Sequence, residues 1–242
     1  MELFATLLLG LLAALLFTRE VVAPASLNAC DKRWQWLAGG MSAAGGVVSL
    51  SVGALFSGPI AHLALWRAED HLSPLLTGLL AFLLTSLVFY GWHRAMHASD
   101  RLWRWTHQLH HSARRVEALT AFYAHPLDTL VAMAITCASS YLVLGASPLA
   151  AAFALFLTGA LDLFVHADMR TPRWLGYFVQ RPEMHTVHHQ RGHHAQNYGL
   201  PLWDLLFGTW HNPEERVQDL GFDPERSSRV RDMLLGRDVH RS

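Results

Sequence analysis

"LSPLLTGLLAFLLTSLVFYGWHRAMH", Leu72 to His97, runs from Leu72 to Trp92 without an Asp, Glu, Lys or Arg and then ends in two histidines four residues apart. As a helix, about 20 apolar residues are enough to cross the ~30 Å hydrocarbon core of a bilayer. A charged residue at the bilayer centre costs roughly 2.5–3.5 kcal/mol, so charge-free windows of this length mark spans. If the helix continues past Trp92, the i, i+4 spacing projects His93 and His97 from one face at its mouth. The stretch therefore predicts a membrane helix that delivers imidazoles to a membrane surface.

The rest of the chain agrees with a membrane protein. Of its 242 residues, 52% are hydrophobic and 16% charged, against about 25% charged in soluble proteins. Lysine plus arginine balance aspartate plus glutamate at 19 each, which excludes a global basic field for nucleic acid. Further charge-free windows run from Leu37 to Trp66 and from Thr129 to Leu161. The second of these is long enough for a helical hairpin bent at "GASP", Gly145 to Pro148. The N-terminal run, Leu3 to Phe17, is shorter but extendable. "APA" at Ala23 to Ala25 resembles a signal-peptide cleavage site, but no basic n-region precedes the apolar run, so it reads as a retained anchor.

The expected fold is thus all-α: a multi-pass bundle of about four or five transmembrane helices with a helical, histidine-rich cap. Spans one to three fall in 1–92, a cap segment in 93–128, the hairpin in 129–166, a second cap segment in 167–212 and a C-terminal tail in 213–242. The charged tail reads as a short helix with a solvated face. Arg19, Lys32, Arg33, the arginines from Arg94 to Arg115, and Arg170, Arg173, Arg181 and Arg191 all fall in connections on one side of a five-span arrangement. The other two connections carry one arginine, Arg67, against two acids. By the positive-inside rule the N-terminus is outside and the cap is cytoplasmic, in the cell membrane if the source is bacterial.

Histidine is the unusual residue. There are 16, and 12 lie between His93 and His194. "HQLHH" supplies His107, His110 and His111, and "HTVHH" supplies His185, His188 and His189, each at i, i+3, i+4. In each box the outer pair shares a face and the middle ring stands aside, where it can reach a second ion. Two such boxes plus the His93/His97 pair point to a two-metal centre. The two cysteines, Cys30 and Cys137, make neither a thiolate zinc site nor a cluster, so the ligands must be nitrogen or oxygen. "LDLFVHAD" places Asp162 one turn before His166 and Asp168 just after it, where a carboxylate can take a metal-bound imidazole's other N–H or simply mark the helix end. His125 sits before Pro126 as either a helix cap or a group behind the ligands. His193 and His194 are either a further ligand or solvated, and Asn197 can bond a ligand or a water.

The ordered set HRAMH, HQLHH, FVHAD, HTVHH and NYGLPLWDLLFGTW resembles the fatty acid hydroxylase superfamily, also called the sterol desaturase family, over roughly Leu87 to Pro213. The resemblance implies a helical bundle capped on the cytosolic side by a non-haem di-iron centre that activates oxygen. By position it implies His93, His97, His107, His110, His111, His185, His188 and His189 as ligands, with His166 at the end of the last span. Where relatives place a second histidine four residues after that one, this chain has Arg170. Either His194 or Asn197 takes that place, or one metal keeps an open position.

Imidazoles bind several metals alike, and it is the implied task that selects iron. Zinc fits the same nitrogens but has no redox chemistry. No catalytic group beyond the metals is expected. The implied reaction is hydroxylation or desaturation of a lipid or sterol-like hydrophobe, carotenoid or hopanoid types included, with O2. It requires two further electrons, for which the chain has no haem, flavin or cluster motif. A cytochrome b5 or ferredoxin-type donor is therefore implied, with Arg101, Arg104, Arg114 and Arg115 as docking charge or as lipid contacts. A metal transporter or sensor would need polar groups along the spans, and a haem protein would need single histidines facing across helices.

Overall fold

The computed structural model describes residues 2–29, 31–193 and 195–240. Five helices are long and apolar enough to cross a membrane: Leu3–Val22, Lys32–Gly58, Pro74–Ala98, Pro126–Val143 and Pro148–His166. Their regular α-helical parts are α1 (Glu2–Val22), α2 (Lys32–Leu55), α3 (Pro74–Ala98), α4 (Pro126–Cys137) and α5 (Pro148–His166). Wide π turns extend α2 through Phe56–Ile60 and α4 through Ala138–Val143. No strand forms among the described residues, only an isolated bridge between Gln190 and Leu220.

The helix starts follow local chemistry. Ser73, His125 and Ser147 each precede a proline and accept a hydrogen bond from the backbone N–H of Leu76, Leu127 and Ala150 respectively. The proline fixes the first helical φ and lacks the N–H that would otherwise be orphaned. Asp31 caps α2 in the same way, accepting from Arg33 and Trp34 N–H, so this helix begins before the charge-free window rather than at its edge. The hairpin turns at Gly145, whose φ is +57°. A side chain there would meet the Trp66 carbonyl at 2.7 Å.

α5 is the central helix, packed between α3 and α1, while α2 lies against α4. Small residues permit the approach: a Cβ at Gly78 would sit 2.7 Å from the Ala150 carbonyl, and one at Gly159 would sit 2.7 Å from Leu9. Without a hydrophobic drive between helices in lipid, this close packing is the main source of association. At the end away from the histidines the two connections bind each other, with Leu65, Trp66 and Ala68 N–H donating to Leu142, Val143 and Leu144 carbonyls.

The opposite ends of all five helices meet the cap. Glu20, near the end of α1, accepts from the backbone N–H of Ala118 (2.8 Å) and Asp168 (2.7 Å). Gln35, early in α2, donates to Glu117. The cap is built from the π turn Trp103–His107, the 3-10 turns His110–Ser112, Ala118–Phe122 and Arg173–Tyr177, and the short helices α6 (Pro182–His188) and α7 (Pro201–Leu206).

Two sequence expectations change here. The tail is not a single helix with a solvated face but two short helices, α8 (Pro224–Ser228) and α9 (Val230–Leu234). The tail buries Phe222, Met233 and Val239 against Leu109, Tyr123 and Ala38. Gln108 clamps the tail, accepting from Val239 N–H at 2.9 Å and donating to the Arg237 carbonyl at 2.8 Å. Two of the arginines counted toward surface charge are also interior. Arg115 pairs with Glu117 (3.1 Å) and Asp168 (3.0 Å), and Arg181 pairs with Glu183 (3.2 Å) and donates to Asn212 and Thr171. The charge pattern cannot separate a buried ion pair from a lipid-facing arginine.

Replacing Gly78 by leucine is expected to destabilise the bundle by about 1–3 kcal/mol through overpacking, read as a lower melting temperature in detergent. Gly91→Ala, at a position with open space, should leave the melting temperature unchanged or raise it.

Candidate metal centre

Nine histidine side chains converge where α3, α4 and α5 meet the cap. In one group His93, His97, His107, His111 and His188 bring ring nitrogens to within 4.8 Å of one another, and in a second group His110, His166, His185 and His189 do the same. With metal–imidazole bonds near 2.0–2.1 Å, nitrogens on opposite sides of one ion stand about 4.2 Å apart. Each group therefore has the dimensions of a single ion's shell. The groups abut, with the His111 and His189 rings stacked at 4.3 Å.

The division follows from chain geometry. α3 carries His93 and His97 on one face. The π turn Trp103–His107 leads into the 3-10 turn His110–Ser112, so His107 and His111 face the first group while His110 faces the second. α6 and the residue after it do the reverse, giving His185 and His189 to the second group and His188 to the first. His166, the last residue of α5, completes the second group.

Which nitrogen faces inward is set by the other nitrogen's partner. His93 Nδ1 lies 2.8 Å from the Tyr198 carbonyl, His188 Nδ1 2.9 Å from the Gln196 carbonyl, His166 Nδ1 2.7 Å from the Asp162 carbonyl, and His110 Nδ1 3.3 Å from the Tyr123 carbonyl. A carbonyl only accepts, so each Nδ1 carries the proton and each Nε2 presents a lone pair. His110 and His166 then oppose two bare Nε2 atoms at 3.2 Å, and the buried Nε2 of His188 has no hydrogen-bond partner. Opposed lone pairs in a buried site repel unless a cation lies between them. The donor set therefore fits metal ions.

Electrostatics favour the same state. Burial pushes the His107, His110, His111, His185, His188 and His189 imidazoles well below the ordinary histidine range, and their mutual proximity pushes the same way. They are neutral at physiological pH, the form that binds metal.

The remaining candidates have other places. Asp162 stays at its ring, its carboxylate 3.3 Å from His166 Nδ1. Asp168 contacts no histidine: it is fully buried between Arg115 and Arg216 and accepts from Ser26 N–H. His125 caps α4, accepting from Leu127 N–H and donating to the Leu234 carbonyl, so both its nitrogens are used away from the site. Asn197 donates to the Met184 carbonyl and accepts from His211 N–H, so both polar atoms of its side chain are already hydrogen-bonded. His193 faces Gln196, and His194 lies outside the described residues. Arg170 is exposed.

Sequence reading missed Asp128. Its carboxylate lies 3.5 Å from His107 Nδ1 and accepts from Trp92 Nε1 at 3.3 Å, so it orients His107 as the carbonyls orient the other rings. The available signal was an aspartate at the very edge of a predicted span, where an unpaired carboxylate is costly. A cavity of about 250 Å³, lined by Trp103, Gln190, Arg191, Phe222, Arg226 and His240, reaches His111 of one group and His189 of the other.

Fold and site together define a multi-pass helical membrane protein whose cap gathers two adjoining groups of imidazoles. The chain belongs to the fatty acid hydroxylase family, whose model matches residues 78–209. It is 31% identical over 158 residues to the very-long-chain aldehyde decarbonylase GL1-9 of Oryza sativa subsp. indica (60% of this chain, 59% of the relative). It is 34% identical over 145 residues to the ornithine lipid hydroxylase OlsE of Rhizobium tropici (55% and 41%). It is 26% identical over 155 residues to the sphingolipid C4-hydroxylase sur2 of Schizosaccharomyces pombe (62% and 53%). The match thus spans only about half the length of these relatives. No solved structure matches the chain.

Asp128→Asn should leave the fold intact and weaken metal binding about 10–100-fold, the usual effect of losing such a partner, measured by chelator competition. The metal-stripped protein should keep its full stability above about pH 6.5, the ordinary histidine value. It should then lose stability as the pH falls further, because the unfolded chain takes up protons on six histidines that burial keeps neutral in the folded site, which outweighs the single proton that buried Glu20 holds in the folded state. Melting temperatures across pH 5–8 would check this.

Proposed function

We propose that the protein is a membrane-bound oxidoreductase that hydroxylates or desaturates a lipid or sterol-like hydrophobe, using O2, external electrons and two iron ions. The observation that carries this reading is the pair of imidazole groups with their opposite nitrogens fixed by acceptors, at the ends of membrane helices. His93, His97, His107, His111 and His188 would hold one ion, and His110, His166, His185 and His189 the other. When bound, redox-active iron supplies the activation of O2 that an inert aliphatic C–H bond requires, which zinc cannot do.

The chain's own residues do the rest. Asp128, Asp162 and the carbonyls of Tyr123, Gln196 and Tyr198 hold the rings at fixed angles, so little reorganisation is needed during turnover. The second group has one nitrogen fewer than the first among the described residues, which leaves room for a non-protein ligand. The cavity at His111 and His189 supports access for small molecules from the cap side. In hydroxylation one oxygen atom of O2 goes to the carbon and the other leaves as water, taking two electrons and two protons from outside. The chain contains no carrier motif, so an electron-donor protein of the cytochrome b5 or ferredoxin type is part of the proposal. Exposed Arg101 and Arg114 are suited to an acidic partner, whereas Arg115 is committed to its ion pairs.

The cytoplasmic placement of the cap is proposed on two grounds. Lys32, Arg33, Arg101, Arg114 and Arg173 lie at the histidine end, and the alternating helices put the start of α1 at the far end. The names of the relatives, which include lipid and sphingolipid hydroxylases, support a lipid substrate.

Comparing lipid extracts of cells with and without the protein should reveal a product heavier by one oxygen or lighter by two hydrogens, dependent on O2. His110→Ala and His188→Ala should each abolish that product while the protein still inserts in the membrane. Full turnover without O2, or in either variant, would contradict the assignment.

A further inference from the structure

The cap is not uniformly polar. Trp174 and Phe178, at the 3-10 turn Arg173–Tyr177, are exposed by 62% and 77%, and Leu202, Leu205, Leu206 and Phe207 on and after α7 are exposed by 48–67%. The two runs form one surface, since Trp210 Nε1 donates to the Gly176 carbonyl at 3.1 Å and its ring lies 5.3 Å from that of Tyr177. A contiguous apolar patch of this kind marks an interaction site.

Its depth identifies the occupant. Trp203 Nε1 donates to Ser86 Oγ at 2.9 Å, and the Phe207 ring stacks on Tyr90 at 5.2 Å. Ser86 lies twelve residues before the end of α3 at Ala98, about 18 Å along the axis at 1.5 Å per residue. Its neighbours Leu87 and Val88 are themselves exposed. α7 therefore runs beside a part of α3 that hydrocarbon must surround. Its backbone is equipped for that setting, where unsatisfied polar groups are costly. The buried Asp204 carboxylate accepts from Tyr198 and Gly199 N–H, and the Asp204 carbonyl accepts from Thr209 and Trp210 N–H. Exposed Arg173, which pairs with Glu214 at 3.0 Å, begins the turn that carries Trp174, as basic residues flank a helix lying at the headgroup level.

We propose that the Arg173–Tyr177 turn with Phe178, together with α7, forms a platform embedded in the leaflet that faces the histidine cap, with acyl chains as its occupant. The proposal rests on the placement of α3 as a span and not on the metal reading. It bears on the site because the same strand of chain supplies the Gln196 and Tyr198 carbonyls that accept from His188 and His93.

The test is spin-label accessibility in phospholipid nanodiscs, in a background with Cys30 and Cys137 replaced by alanine. Labels at Leu206→Cys and Phe178→Cys, with Leu205→Cys as a second reporter on α7, are compared with Leu87→Cys on the exposed flank of α3 and Glu225→Cys on the exposed tail. The platform predicts oxygen-to-nickel-chelate collision ratios that rise to the level of Leu87. Ratios at the level of Glu225 would place the patch in water and overturn the proposal. Labels shielded from both reagents would overturn it in favour of a protein partner, such as a second copy of the chain.

Discussion

Four imidazole protons committed to backbone carbonyls constrain everything else at the cap. Once the Nδ1–H groups of His93, His110, His166 and His188 are given to carbonyls, their Nε2 lone pairs point into a shared, buried volume. Desolvation keeps His110 and His188 from relieving the conflict by protonation. An assembly so arranged is strained alone and complementary to cations, and its precision depends on whatever positions the carbonyls. That requirement explains why residues far from the histidines are buried and bonded so completely. Tyr123 sits in the core formed by α2 and the tail, Asn197 pins the loop that bears the Gln196 and Tyr198 carbonyls, and Asp204 holds that loop from its other side.

The ionic core around Asp168 serves the same end. Asp168, Arg115 and Arg216 join the turn after α5, the loop after HQLHH and the tail, and Glu20 fastens the first helix to two of these segments. Buried ion pairs contribute little net stability against an apolar alternative, but breaking one leaves an uncompensated charge. Their effect is to fix the relative positions of three segments that no secondary structure connects.

The fold class and the five spans were legible because charge-free windows and 3.6-residue periodicity are local properties, and the Ser-Pro and His-Pro caps are local too. The i, i+3, i+4 spacing similarly contains the separation of faces that the two histidine groups display. What stayed hidden depends on distant residues. Nothing in "PLD" tells that Asp128 meets His107, and nothing near Asn197 tells that its side chain is consumed by Met184 and His211. The charged tail conceals Met233 and Val239 because their partner surface lies more than a hundred residues earlier. α7 fell within the second cap segment because its sequence does not record that Trp203 reaches Ser86, deep along α3.

The central claim is that nine histidines enclose two ions in separate but adjoining shells. Anomalous diffraction at the iron absorption edge, from crystals of iron-loaded protein, tests it most directly. The account predicts two peaks, one inside the ring formed by His93, His97, His107, His111 and His188 and one inside that of His110, His166, His185 and His189. A single peak, or density away from these rings, would contradict it.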